Sequence, residues 1–203
     1  MASEQRRSPK QQRAQDSRER VVEAAAQLFA ERGIADTSTN RIAAHAGMSI
    51  GTLYRYFADR EEIVAVLRAR FLAEIEERFT TAVLGTLAGP PRVAVAASLR
   101  AIADTLAAQE GLARALVAQI PLSALELTDL ERRLLVLTRA YLLHQWGPRD
   151  ELDLDGKALV MMNTGLAASF RIAFSPKGID RDRLIDDTAA MIGDWIEGER
   201  DRA

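Results

Sequence analysis

The stretch from Thr37 to Phe57, TSTNRIAAHAGMSIGTLYRYF, constrains this chain more than any other. Two short segments with helical apolar spacing flank one glycine, Gly47, and each opens on hydroxyl residues. One of Thr37, Ser38 and Thr39 is placed to cap a helix running to Ala46. Ile42, Ala43 and Ala46 form the inner face of that helix. Gly47 suits a sharp turn with positive φ. Ser49 is placed to cap a second helix through Tyr56, in which Leu53 and Phe57 share a face and anchor it. Gly51 is the anomaly. In a helix it costs roughly 1 kcal/mol relative to alanine, so something other than helix stability accounts for it.

A short helix, a glycine turn and a second short helix make a helix-turn-helix, whose second helix enters the DNA major groove while the first braces it. Ser38–Ala46 is the expected bracing helix and Ser49–Tyr56 the expected reading helix. Ile50, Gly51, Thr52, Tyr54 and Arg55 cannot all be buried. The Tyr54 and Tyr56 hydroxyls suit phosphate oxygens, and Arg55 offsets phosphate charge.

The charge distribution agrees. Residues 1–60 hold ten Lys/Arg against seven Asp/Glu, and the remainder is acidic, within a net charge of −2. An anionic partner is therefore expected at the front only. The chain has 203 residues, 48% of them apolar and only 5% aromatic, and Ala, Leu, Arg and Glu abound. This composition indicates an all-α fold with a substantial core. No cysteine is present, which excludes disulfides, thiolate zinc sites and cysteine nucleophiles. The start MASEQRRSPKQQRAQ lacks the apolar run of a secretory signal, and no stretch approaches the ~18 uncharged apolar residues of a membrane span. A cytoplasmic protein without a membrane partner is expected.

Along the chain, residues 1–15 read as a disordered basic arm. Val21, Val22, Ala25, Leu28 and Phe29 mark a first helix from Asp16 to Arg32, closed by Gly33. Asp59 with Glu62 three residues on is a capping-box pattern that opens a fourth helix, continuing to about Leu84. Further helices are predicted at 91–109, 111–119, 124–146, 155–174 and 180–197, about nine in all. The domain boundaries that follow are 1–15 for the arm, 16–60 for a DNA-binding head and 61–203 for a helical body.

The segment Thr37 to Val64, TSTNRIAAHAGMSIGTLYRYFADREEIV, strongly resembles the signature of the tetracycline-repressor (TetR) family of transcriptional regulators. The preceding RERVVEAAAQLFAERG resembles that family's first helix. The resemblance covers about fifty residues. It implies a homodimeric regulator with a helical ligand-binding and dimerisation domain, most simply a repressor released from a palindromic double-stranded DNA operator by a small, largely apolar effector. It places Thr37, Thr39, Tyr54, Tyr56 and Arg60 where the family contacts phosphates, and Ser49, Ile50, Gly51, Thr52 and Arg55 on or beside the base-reading surface. Ser38 joins this DNA-binding set. Two positions depart from the pattern. Ile50 stands where lysine, arginine or proline is common, and offers a thymine-methyl contact instead. Arg60 stands where lysine is common.

For the body, the expected ligand-lining residues are Gln119, Leu137, Tyr141, Gln145, Trp146, Met162, Asn163 and Phe170, a mixture of adaptable apolar groups and a few polar anchors. The expected dimer surface uses Gly165, Ala168 and Ile172 of one helix. From the last helix it uses the stripe Leu184, Thr188, Met191 and Trp195. A second stripe, Ile185, Ala189, Ile192 and Ile196, makes that helix apolar on two sides, so it needs two partners.

No cofactor, catalytic residue or metal ligand is expected. A di-metal helical site needs Glu-x-x-His, but Ile42 and Tyr141 precede the two histidines by three. No phosphate loop or Gly-x-Ser-x-Gly is present. The alternatives are a ligand-enhanced regulator or activator, and an effector-independent architectural DNA-binding protein.

Overall fold

The computed structural model describes residues 9–118 and 129–202, with backbone alone at Pro9 and Lys10. The described residues form nine helices and no strand. They divide into two compact units. The first runs to Arg70 and takes in the segment from Gly111; the second holds Phe71 to Glu110 and the rest of the chain.

The first unit contains α1 (Pro9–Arg32), α2 (Thr39–His45), α3 (Ile50–Leu53), the start of α4 (Arg60–Gly85) and nearly all of α6 (Glu110–Val117). Helix α1 begins at Pro9, not at Asp16, so residues 9–15 are helical and not part of an irregular arm. The composition permits this. Proline is tolerated at a helix's first position, and Gln12 Nε2 donates to Asp16 Oδ1 one turn on, at 3.0 Å. The rest of the expected arm, 1–8, lies outside the described residues. Gly33 closes α1 at φ +80°, and its amide donates to Phe29 O at 2.9 Å. Val21, Ala25, Phe29, Ile42, Leu53, Phe57 and Ile63 form a core in which none is more than 1% exposed. Gly111 lies on Ala30: a Cβ there would stand 2.6 Å from the Ala30 carbonyl oxygen. That crossing, invisible in the local sequence pattern, is why α6 belongs with the head.

Helix α4 is shared between the units, and the observed division at Arg70 falls ten residues beyond the expected boundary. Its start follows the capping-box pattern with one shift. Asp59 Oδ1 accepts from the Glu62 amide at 2.8 Å, while Glu62 Oε2 accepts from Ala58 N at 2.7 Å, one residue earlier than in the usual motif.

The second unit contains the end of α4, then α5 (Pro91–Ala108), α7 (Asp129–Trp146), α8 (Glu151–Ala173) and α9 (Arg181–Arg200). Pro91 opens α5 as its first residue. Asp150 and Asp180 cap α8 and α9 by accepting from backbone amides. Leu99, Ala103, Leu142, Leu154, Ala158, Ile185, Ala189 and Ile196 fill the middle of the unit. Gly193 permits a close crossing of α9 on α5, where a Cβ would stand 2.9 Å from Arg92 backbone atoms. Trp146 closes one end: its indole N–H donates to Ile196 O at 2.9 Å and its ring meets Trp195 edge-on at 5.8 Å. No described helix is long and apolar enough to cross a membrane.

Candidate nucleic-acid interface

The α2–α3 turn is held by hydrogen bonds from outside it. Ser38 caps α2 by accepting from the Arg41 amide at 3.3 Å, which resolves which of the three hydroxyl residues takes that role. Gly47 turns at φ +66°, and the Arg20 guanidinium of α1 donates to the Ala46 and Gly47 carbonyls beside it. Those carbonyls end α2, where a cation is favourable. Arg20 escaped the sequence reading because nothing in α1's periodicity points a charged residue inward. Ser49 caps α3, accepting from the Thr52 amide at 3.2 Å and pairing with the Thr52 hydroxyl at 2.9 Å. Below α3, Leu53 and Phe57 are buried, and Arg18 lies over the Phe57 ring at 4.7 Å. Helix α3 itself ends at Leu53, and residues 54–56 continue as turns, so the reading helix is shorter than expected.

The expected DNA-binding residues now separate into two groups. Gly51, Tyr54 and Arg55 are exposed, with Ile50, Thr52 and Tyr56 half-buried beside them. Tyr54 is joined to Thr39 through their hydroxyls, 3.1 Å apart, so the start of α2 and the end of α3 present one row. Arg55 makes no ion pair or hydrogen bond among the described residues. A Cβ on Gly51 would meet nothing closer than Ser49 Oγ at 4.0 Å. The fold itself therefore does not require glycine there.

Two of the expected residues instead make their contacts within the fold. Thr37 is fully buried, and its hydroxyl donates to Gly33 O at 2.8 Å, fastening α2 to the end of α1. Arg60 turns inward. Its guanidinium donates to Ile34 O at 3.1 Å and to Ala35 and Thr37 carbonyls at 3.4 Å, and pairs with Glu61 at 3.0 Å. Arginine's forked donors suit such a cluster of loop carbonyls. His45, a further candidate beside the turn, pairs with Gln27 of α1 at 2.7 Å.

In the second unit, a cavity of about 50 Å3 lies among α4, α5, α7, α8 and α9. Of the expected ligand-lining residues, Tyr141 and Met162 lie on its wall, and Gln119 lies outside the described residues. Leu137, Gln145, Trp146, Asn163 and Phe170 do not line it. Gln145 instead donates to Leu87 O at 3.2 Å, Trp146 is fixed to α9, Asn163 is exposed and Phe170 packs on Phe174. The wall that sequence reasoning missed is α5, with Val95, Ser98, Leu99 and Ile102. Their i, i+3, i+4, i+7 spacing is the signal that could have found it.

The expected dimer stripe also divides. Ile172 is 2% exposed in the unit's own core, Gly165 lies on the cavity wall, and Ala168, Leu184 and Trp195 pack partly against the core. Thr188 is half-buried and Met191 is exposed. The second stripe of α9 is the buried one.

Residues 21–67 match the family model described as bacterial regulatory proteins, tetR family. The head is of the TetR type. An HTH-type transcriptional regulator of Staphylococcus aureus (strain USA300) is 44% identical over 50 residues, which cover 25% of this chain and 27% of the relative. The same figures hold for its counterpart in strain NCTC 8325 / PS 47. The chain thus spans about a quarter of the length of the curated relatives it matches. Beyond the TetR-type head the likeness is one of fold. A TetR-like transcriptional regulator from Rhodococcus sp. RHA1 superposes with a TM-score of 0.64 at 22% identity, covering 90% of this chain and 96% of that one. A TetR-family transcriptional regulator from Pectobacterium atrosepticum gives 0.64 at 22% identity, with 95% and 97% covered. The fatty acid degradation regulator FadR from Bacillus halodurans gives 0.63 at 21% identity, with 93% and 96% covered.

Proposed function

We propose that this protein is a sequence-specific DNA-binding transcriptional regulator, most simply a cytoplasmic homodimeric repressor that a small, largely apolar effector releases from a palindromic operator. The observation that carries the reading is the exposed row Thr39–Tyr54, Gly51 and Arg55 on a turn braced by Arg20, Ser38 and Ser49. Hydroxyls and a cation on a rigid edge suit phosphate oxygens, and the missing side chain at Gly51 suits close approach of a duplex. Ser49, Ile50 and Thr52 at the start of α3 are the candidates for reading base edges.

A second copy of the chain is supported by the outer face of α8, where Leu152 is 84% and Val160 60% exposed, with Leu159 between them and Met191 exposed on α9. Apolar residues spaced along one exposed helix face favour burial against a partner. Two reading helices about 34–36 Å apart would then enter successive major grooves. An effector acts only through its differential affinity for the DNA-competent and incompetent states, and the shared helix α4 is the continuous element through which the body could bias the head.

The test is a gel-shift titration with duplexes selected from a random library, combined with sedimentation. A palindromic selected site bound by two subunits, or a multiple of two, is expected. Equal affinity for selected and scrambled duplexes at moderate salt would refute the specific-regulator reading.

A further inference from the structure

Helix α1 overhangs the head. It begins at Pro9, yet its first buried side chain among the described residues is Val21, about three turns later. Of residues 11–16 only Ala14 is half-buried, and the rest are exposed. So short a helical stretch is marginal in water without packing, and the core of the head does not account for it. The contacts behind the overhang set its direction. Gln27, Arg20 and Arg13 are seven residues apart and share one face of α1. Gln27 pairs with His45 near the end of α2 at 2.7 Å, and Arg20 Nη2 donates to Ala46 O at 2.5 Å and to Gly47 O at 3.3 Å. Arg18 lies over the Phe57 ring at 4.7 Å. These contacts fall just before α3 and just after it, so α1 crosses behind α3 at residues 18–20. Arg13 is the next residue on the Gln27–Arg20 face, about 10 Å further along the axis and past the turn. It is exposed and makes no ion pair or hydrogen bond among the described residues. The nearby Asp16 carboxylate accepts from Gln12 at 3.0 Å.

We propose that this overhang is a second DNA-contact surface, on which Arg13 neutralises a backbone phosphate beyond those reached by the α2–α3 edge. The inference rests on the reading above that this edge meets a duplex, and it adds a contact outside the helix-turn-helix. Charge favours a nucleic-acid partner: residues 1–16 hold four Lys/Arg against two Asp/Glu. Residues 11–16 offer no large apolar side chain to anchor a protein partner, whereas one exposed guanidinium is enough for a phosphate. Its forked donors suit phosphate oxygens. Because the contact is to the backbone, it adds affinity on every sequence and carries no base information.

The test measures binding of the full chain to selected and scrambled duplexes by fluorescence anisotropy from about 50 to about 200 mM salt. Two subunits that each lose one phosphate contact flatten the plot of log affinity against log salt by about 2. Arg13→Gln is therefore expected to bind both duplexes more weakly than wild type, and the wild-type advantage shrinks about ten-fold across that salt range. Arg13→Lys keeps the charge and the slope. The melting temperature of Arg13→Gln stays at the wild-type value. Methylphosphonate substitution, one phosphate at a time on the selected duplex, then locates the partner. At least one neutralised phosphate should weaken wild type several-fold, leave Arg13→Gln unaffected, and differ from the phosphates whose effect is lost in Tyr54→Phe. The proposal is overturned by an Arg13→Gln slope equal to wild type, by Arg13→Lys binding as weakly as Arg13→Gln, by a lowered melting temperature, or by Arg13-dependent phosphates that coincide with those of Tyr54. If the slope changes as expected but no duplex is preferred, the phosphate contact stands and the specific-regulator reading fails. If a selected site is preferred and Arg13→Gln binds it as wild type does, the regulator reading stands and this proposal fails.

Discussion

Replacing Gly51 with alanine separates what the fold needs from what a bound duplex needs. Gly51 is exposed, lies in α3 without a positive φ, and has only Ser49 Oγ at 4.0 Å from an added Cβ. No clash opposes the substitution, so the helix preference of alanine over glycine acts alone, worth up to about 1 kcal/mol. For a chain of this size that corresponds to a rise in melting temperature of about 2–4 °C. The methyl group also stands on the face proposed to approach DNA. If the duplex backbone or a base edge comes within van der Waals contact of Cα, operator affinity falls at least about ten-fold, or about 1.4 kcal/mol. Thermal unfolding measures the first effect. Fluorescence anisotropy, on a duplex selected with the wild-type protein, measures the second. A variant that is more stable and binds DNA normally would refute the close-approach argument. A variant that melts lower would refute the open space around Gly51.

Tyr54→Phe removes the hydroxyl paired with Thr39 and should weaken binding several-fold on selected and scrambled duplexes alike, since phosphate contacts carry no sequence information; a loss confined to the selected duplex would reassign Tyr54 to base reading. Gly111→Ala and Gly193→Ala should each destabilise the protein by about 1–3 kcal/mol despite their helical positions, because the added Cβ would lie 2.6 Å from Ala30 O and 2.9 Å from Arg92 backbone atoms; melting temperatures at or above wild type would show that these crossings relax freely. Tyr141 has its phenol pKa raised from 10.0 to about 12, so its contribution is fully present below pH 10 and is lost as pH rises towards 12, where the unfolded chain releases the proton first. Denaturant midpoints from pH 9 to 12 should therefore fall more steeply for wild type than for Tyr141→Phe, and parallel curves would contradict the burial of that hydroxyl.

The head was legible in the sequence because its signals are local. Hydroxyl caps at Ser38 and Ser49, the positive-φ Gly47 and the anchors Leu53 and Phe57 act over one or two turns, where spacing decides geometry. The cavity was only partly legible. Tyr141 and Met162 are large, mainly apolar residues like Trp146 and Phe170, and size and polarity do not say which side chains line a void and which pack on one another. Residues with long reach misled in a similar way. Arg60 reads as a phosphate ligand from its position, but the carbonyls that take its donors come from a loop over twenty residues earlier.

What the sequence by itself determined is the all-helical class, the helix-turn-helix with its caps, and the two-sided character of α9. Each follows from period, propensity and capping chemistry within about twenty residues. What only the tertiary structure decided is which stripe of α9 is buried, that Thr37 and Arg60 serve the scaffold, that α6 joins the head through Gly111 on Ala30, and that Tyr141 is left with an unpaired hydroxyl. Those outcomes depend on which surfaces meet. Burial, clash and hydrogen-bond satisfaction are properties of pairs of distant segments, and no single segment encodes them.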